Sequence, residues 1–203
     1  MTQPQVTQPL AFVAPEELAR ANFYGLIARL FYSPPDEPLL SELLRAPLLE
    51  GDGVLSTAWA EMVDACRNAS LAALEEEYTE LFVGTGKAAV TPYVSHYVVK
   101  FSTENPLVAL RQQLVAWGIG RREQVPEYED HVSGVCEAMR FAIAVQQRTN
   151  EEQREFFERF VHRGASAFCD AVSASANARF YQPVARFARA FFDIEKAAFE
   201  MVG

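Results

Sequence analysis

Residues 90–99 read VTPYVSHYVV, and whether they form a strand or a connection decides the fold class. β-branched and aromatic side chains dominate the stretch, as they do in strands. Pro92 lies inside it, however, and removes a ladder donor, and no second strand-like run occurs elsewhere in the chain to pair with it. The stretch therefore reads as an extended loop, and the chain around it as helical.

Working outward, the segment before this loop carries Leu71, Leu74, Tyr78, Leu81 and Phe82 at helical spacing, with Ser70 placed to cap it. Gly84 and Gly86 end that run. Earlier still, Phe23, Leu26, Ile27, Leu30 and Phe31 share one helical face, and Pro34 and Pro35 stop it. A short helix with Leu39, Leu40, Leu43 and Leu44 follows, then Leu55, Trp59, Met62, Val63 and Cys66 beyond the turn at Gly51 and Gly53. Downstream, Pro106 suits the first turn of a helix bearing Leu107, Leu110, Leu114 and Trp117, which Gly118 and Gly120 terminate. After the loop RREQVPEYED come Val132, Val135, Cys136, Met139 and Ile143, and Asn150 with Gln153 predicts a capping box for the next helix. Phe156, Phe157, Phe160 and Val161, then Phe168 and Val172 past Gly164, continue the pattern. Beyond SASANA, a last long helix carries Tyr181, Val184, Phe187, Phe191 and Phe199. The expectation is an all-α protein: a single globular domain over residues 15–203 of about eight or nine helices with no sheet. Residues 1–14, rich in Gln, Thr and Pro, are expected to form a flexible tail.

Bulk composition bounds the function. The chain has 203 residues, half of them hydrophobic, and a formal net charge of −9. That balance disfavours nucleic acid, whose binding draws affinity from clustered Lys and Arg, and favours a basic partner. Three widely spaced cysteines, Cys66, Cys136 and Cys169, indicate neither a disulfide framework nor a thiolate zinc site. The first residues lack the charged and apolar regions of a secretory signal, and no run is long enough for a membrane span, so a cytoplasmic protein without stable membrane insertion is expected.

Candidate chemistry is sparse. There are three histidines, His96, His131 and His162. Glu127 and His131 are four apart, yet no second pair answers them as a metal site requires. Ser95 beside His96 lacks a nucleophile elbow, and Gly84-Thr85-Gly86-Lys87 lacks the Walker spacing and follows a helix instead of a strand. Neither a metal nor a cofactor is indicated. Acidic residues are more suggestive: Glu75, Glu76, Glu77 and Glu80 precede the aromatic loop, and Glu123, Glu127, Glu129 and Asp130 fill the second loop. For Glu75 to Glu77 the plain reading is a solvated face near a helix start. A groove with aromatic walls and carboxylate ends, on the other hand, suits a peptide that carries both arginine and apolar residues.

The pattern Y-x-x-L-F-x-G, a spacer, P-Y-x-S-x-Y, and then an acidic stretch ending in Asp-His resembles the TorD/DmsD-type redox-enzyme maturation chaperones, relatives of NarJ. Here its residues are Tyr78, Leu81, Phe82, Gly84, Pro92, Tyr93, Ser95, Tyr97, Asp130 and His131. The early YGLIARLFYSPPDEPLL and the late RFYQPVARFARAFFDIE are similar to the same family. Family members commonly have Gly-Pro, Pro-Tyr-Glu-Ser and Glu-Pro-x-Asp-His where this chain has Gly84-Thr85, Pro92-Tyr93-Val94-Ser95 and Glu127-Tyr128-Glu129-Asp130-His131. The resemblance implies a cytoplasmic, non-enzymatic chaperone that binds the twin-arginine signal peptide of a molybdoenzyme precursor, of the DMSO reductase or formate dehydrogenase type. It holds the precursor for cofactor insertion before export, as a monomer or a domain-swapped dimer. On that reading Leu81, Phe82, Gly84, Pro92, Tyr93, Ser95, Tyr97, Glu127, Asp130 and His131 form the peptide site. Phe82, Pro92, Tyr93 and Tyr97 give an apolar wall, Asp130 with Glu127 receives arginines, and His131 either bonds peptide carbonyls or orients Asp130. The competing reading is a metal-assisted hydrolase that uses Glu127, Asp130 and His131.

Overall fold

The computed structural model describes residues 13–84, 86–101, 104–120 and 126–202; most of the expected tail, together with Thr85 and Glu123, lies outside them. Ten α-helical segments follow one another: α1 Pro15–Tyr32, α2 Glu37–Arg45, α3 Val54–Arg67, α4 Leu71–Tyr78, α5 Ser95–Val98, α6 Pro106–Ala116, α7 Val132–Ala144, α8 Asn150–Phe156, α9 Arg163–Ala174 and α10 Tyr181–Val202. α8 and α9 are one rod, joined through a π-helical turn at Phe157–His162, and α4 runs on into a second π-helical turn at Thr79–Val83. No strand or sheet occurs among the described residues, so the fold is all-α as expected.

The starts of these helices follow from the residues at their ends. Asp36, Ser70 and Asn105 each accept an N–H of the following first turn, at Leu39, Ala73 and Leu107, which satisfies donors that a helix leaves orphaned. The capping box of α8 is one residue earlier than the sequence suggested. Thr149 accepts the Glu152 N–H and Glu152 accepts the Thr149 N–H, while Gln153 is buried and bonds Arg20 and the Arg148 carbonyl. Thr149-x-x-Glu152 and Asn150-x-x-Gln153 overlap in sequence; Thr149 has the extended backbone of a cap, at ψ 156°, and its carboxylate partner answers better than an amide.

α1 lies along α7, and α10 packs against α9 and α3. Every residue of the α7 stripe from Val132 to Ile143 named above is buried. Phe31 sits 4.9 Å from Phe168 and Phe82 sits 5.0 Å from Tyr181, centroid to centroid and edge to face, the arrangement that ring quadrupoles favour. Beside this core a part-buried ion pair ties α1 to α10: Arg20 donates to both oxygens of the buried Glu195 at 2.7 and 2.8 Å, and the Tyr24 hydroxyl donates to the same carboxylate at 3.0 Å.

Glu77 departs from the solvated face expected of it. Its side chain is buried and accepts the backbone N–H groups of Arg179, Phe180 and Tyr181 at 2.7, 3.1 and 2.9 Å. It thus caps α10 from another element, and a carboxylate there meets both the orphan donors and the positive end of the helix dipole. The start of α10, just past the small-residue stretch SASANA, is therefore held by a partner far away in the chain. Glu75, Glu76 and Glu80 remain exposed.

Candidate functional site

The aromatic loop and the Asp-His segment meet. Val94 N–H donates to the Asp130 carbonyl and Val132 N–H to the Pro92 carbonyl, each at 2.8 Å, so Tyr93 and His131 face each other as an isolated antiparallel pair. The strand-like character of residues 90–94 thus finds a partner that has no strand composition of its own. Past Tyr93 the expected extended loop is corrected: Ser95–Val98 is a helical turn, continued as a 3-10 turn at Val99–Phe101. Gly164 on α9 makes room for it, since a Cβ there would stand 2.6 Å from the Val94 carbonyl oxygen.

Side chains reinforce the pairing. The Tyr93 hydroxyl donates to Glu127 and the Ser95 hydroxyl to Asp130 Oδ2. Burial first, then the Glu127 contact, pushes the Tyr93 hydroxyl well above the usual tyrosine range, so it stays a donor. The Tyr93 ring lies edge-on to His131 at 5.5 Å and 6.1 Å from Tyr128, an exposed ring over which Arg111 sits at 5.9 Å. Arg111 also bonds Glu129 at 3.0 Å. Surface carboxylate, ring and guanidinium thus border the loop.

Asp130 is 4% exposed; its Oδ2 has the Ser95 hydroxyl, and its Oδ1 has no hydrogen-bond partner among the described residues. It borders a cavity of about 10 Å³ walled by Val94, Val98, Pro106, Leu110 and Phe160, with Arg159 also in its lining. A buried carboxylate oxygen without a partner is unfavourable, so this cavity is where a polar or cationic group would be gained.

His131 takes neither of its expected roles directly. It is 3% exposed, and its Nδ1 accepts the Ser133 N–H at 3.2 Å, which makes it the cap of α7. Burial lowers its pKa to about 4, so at neutral pH the ring is uncharged and the acceptor lone pair is available for the cap. Leu81 is fully buried, and its carbonyl takes the Val90 N–H at 2.8 Å. Phe82 turns inward onto Phe31, Tyr78, Phe168 and Tyr181. Gly84 holds φ +67°, where a Cβ would meet the Lys87 carbonyl at 2.3 Å. Pro92 is buried, and Tyr97 donates its hydroxyl to the Thr91 carbonyl at 2.9 Å. The apolar wall expected of Phe82, Pro92, Tyr93 and Tyr97 therefore divides: Tyr93 and part of Tyr97 reach the surface, while Phe82 and Pro92 support them from within.

The sequence reading missed Arg159, Phe160, Leu110 and Gly164. Leu110 and Phe160 belong to stripes that look like core and Gly164 reads as a break between two of them, and nothing in the periodicity shows which such residue borders a cavity. No group of three or more His, Cys, Asp and Glu side chains among the described residues is placed to hold a metal ion.

The family model described as nitrate reductase delta subunit matches residues 51–172, a span that contains the whole loop and Asp-His constellation. The chain belongs to that family. It is 26% identical to the chaperone protein TorD of Shewanella loihica, over 96% of this chain and 97% of that protein. It also matches a crystal structure from Archaeoglobus fulgidus assigned as a redox enzyme maturation protein, at 20% identity and a TM-score of 0.53, over 92% of this chain and 99% of that one; this likeness speaks for the fold. Among the described residues no helix is long and apolar enough to cross a membrane.

Proposed function

We propose that this chain is a redox-enzyme maturation chaperone that binds the twin-arginine signal peptide of a molybdoenzyme precursor, of the DMSO reductase or formate dehydrogenase type. It holds the precursor in the cytoplasm until the cofactor is inserted and export follows. Family membership and the TorD relative support the maturation role. The observation that carries the peptide reading is the buried, half-partnered Asp130 carboxylate beside the half-buried ring of Tyr93 and the exposed ring of Tyr128. A guanidinium supplies the donors that Oδ1 lacks, and the rings take the apolar residues next to it. Tyr93, Tyr97, Ser95, Glu127 and Asp130 make the contacts on this reading; Leu81, Phe82, Gly84, Pro92 and His131 hold them in place. The excess negative charge draws a cationic leader and speeds the encounter.

The test is a calorimetric titration with a synthetic leader peptide bearing paired arginines and an apolar stretch. Binding at about micromolar strength or tighter is expected, weakening as salt is added. Asp130→Asn and Tyr93→Ala are each expected to weaken it about tenfold or more while the protein stays folded by circular dichroism. Superimposable titrations for wild type and both variants would remove this site. The metal-hydrolase reading has no support in the geometry: the His131 Nδ1 is committed to the α7 cap and Glu127 to the Tyr93 hydroxyl.

A further inference from the structure

The Asp130 cavity is too small for the ligand just proposed for it. At about 10 Å³ it admits about one water, whereas a guanidinium is several times larger. Something in its wall has to move. α6 supplies the half-buried Pro106 and the buried Leu110, and the Val94 segment is held by the Asp130 carbonyl and lies close against Gly164. The remaining wall is the π-helical turn Phe157–His162, which brings Arg159 and Phe160. Such turns interrupt the regular hydrogen-bond register of a helix and recur at functional sites.

Arg159 is an unusual neighbour for an unpartnered carboxylate. Its side chain is exposed, and its guanidinium lies 4.8 Å over the Phe160 ring, not on Asp130 Oδ1. A cation that enters the cavity therefore meets a like charge in its lining. From this geometry we propose that Arg159, seated on Phe160, is the selectivity gate of the site: it raises the threshold for any cationic ligand, so that only one with further apolar contacts on Tyr93 and Tyr128 opens the turn and reaches Asp130. The proposal rests on the peptide-binding reading and adds to it a residue that rejects isolated cations. Repulsion against the wrong ligand is as much a part of specificity as attraction to the right one.

The experiment compares wild type, Arg159→Gln and Arg159→Lys with two probes: the leader peptide by calorimetry, and N-acetyl-arginine amide by the NMR shifts of the Val94 and Val132 amides. Loss of the charge in Arg159→Gln is expected to tighten both probes, by about twofold to fivefold for an exposed charge, with proportionally more gain for the small probe. Arg159→Lys, which keeps the charge, stays near wild type. Equal or weaker binding in Arg159→Gln overturns the gate, and if the leader still binds wild type the peptide reading stands. A leader that does not bind wild type, even where the small probe tightens in Arg159→Gln, overturns the peptide reading and the gate with it. No binding of either probe to any of the three proteins overturns both.

Discussion

Two buried residues carry opposite tasks at opposite ends of the α4-to-α7 segment. Glu77 is a charge stabilised by three backbone donors of α10; Glu77→Ala removes the acceptor and strands those donors, with an expected loss of about 2–3 kcal/mol in urea unfolding. His131 is a base kept neutral by burial, and the sign of its pH effect follows. Its folded pKa, about 4, lies below the unfolded value of about 6.5, so between those two pH values the unfolded chain binds a proton that the folded chain refuses. Stability is full above that window and falls as pH drops through it, by at most about 3 kcal/mol. His131→Asn keeps an acceptor for the Ser133 N–H and does not titrate, so the urea midpoint of that variant should change less from pH 7 to pH 4 than that of wild type. His162, lowered by burial and then by Lys196, adds a slope of the same sign to both proteins, and the comparison cancels it.

At the level of elements, the site depends on two close approaches that only glycine allows. A Cβ at Gly164 would press on the Val94 carbonyl at 2.6 Å, and one at Gly134 on the Glu129 carbonyl at 2.7 Å. Gly164→Ala is expected to push α5 from α9, to destabilise by about 1–3 kcal/mol, and to shift the Val94 and Ser95 amide resonances as the Asp130 contacts change. The sequence marked Gly164 only as an interruption in an apolar stripe, because the Val94 carbonyl that it approaches lies far away along the chain. The cap of α8 was legible in kind and displaced by one residue, since two candidate boxes overlap and the backbone conformation of Thr149 chooses between them. Thr149→Ala is expected to lower stability by about 1 kcal/mol in thermal unfolding, and Asn150→Ala by much less.

On the scale of the whole molecule, the Arg20–Glu195 pair holds the first long helix to the last. Arg20→Ala leaves a buried carboxylate with only Tyr24 to donate to it, and a loss of about 3–5 kcal/mol in chemical unfolding is expected; Arg20→Met with Glu195→Leu should recover much of that by apolar packing. The net charge of −9 belongs to this scale as well, because it draws a basic leader from a distance without naming the residue that receives it.

Helical periodicity, prolines at the stops and small polar caps were enough to read the all-α architecture and the order of its helices, because those signals are local and act within a few residues of where they are written. The Y-x-x-L-F-x-G and Asp-His elements likewise stood out as strings. That Phe82 faces the core while Tyr93 stays half-buried at the surface, that Glu77 caps a helix a hundred residues away, and that Asp130 keeps one oxygen without a partner among the described residues, in a cavity lined by Arg159, were decided by the tertiary structure alone. Burial and hydrogen bonding between distant segments depend on how the helices pack, and packing is a property of the assembled molecule.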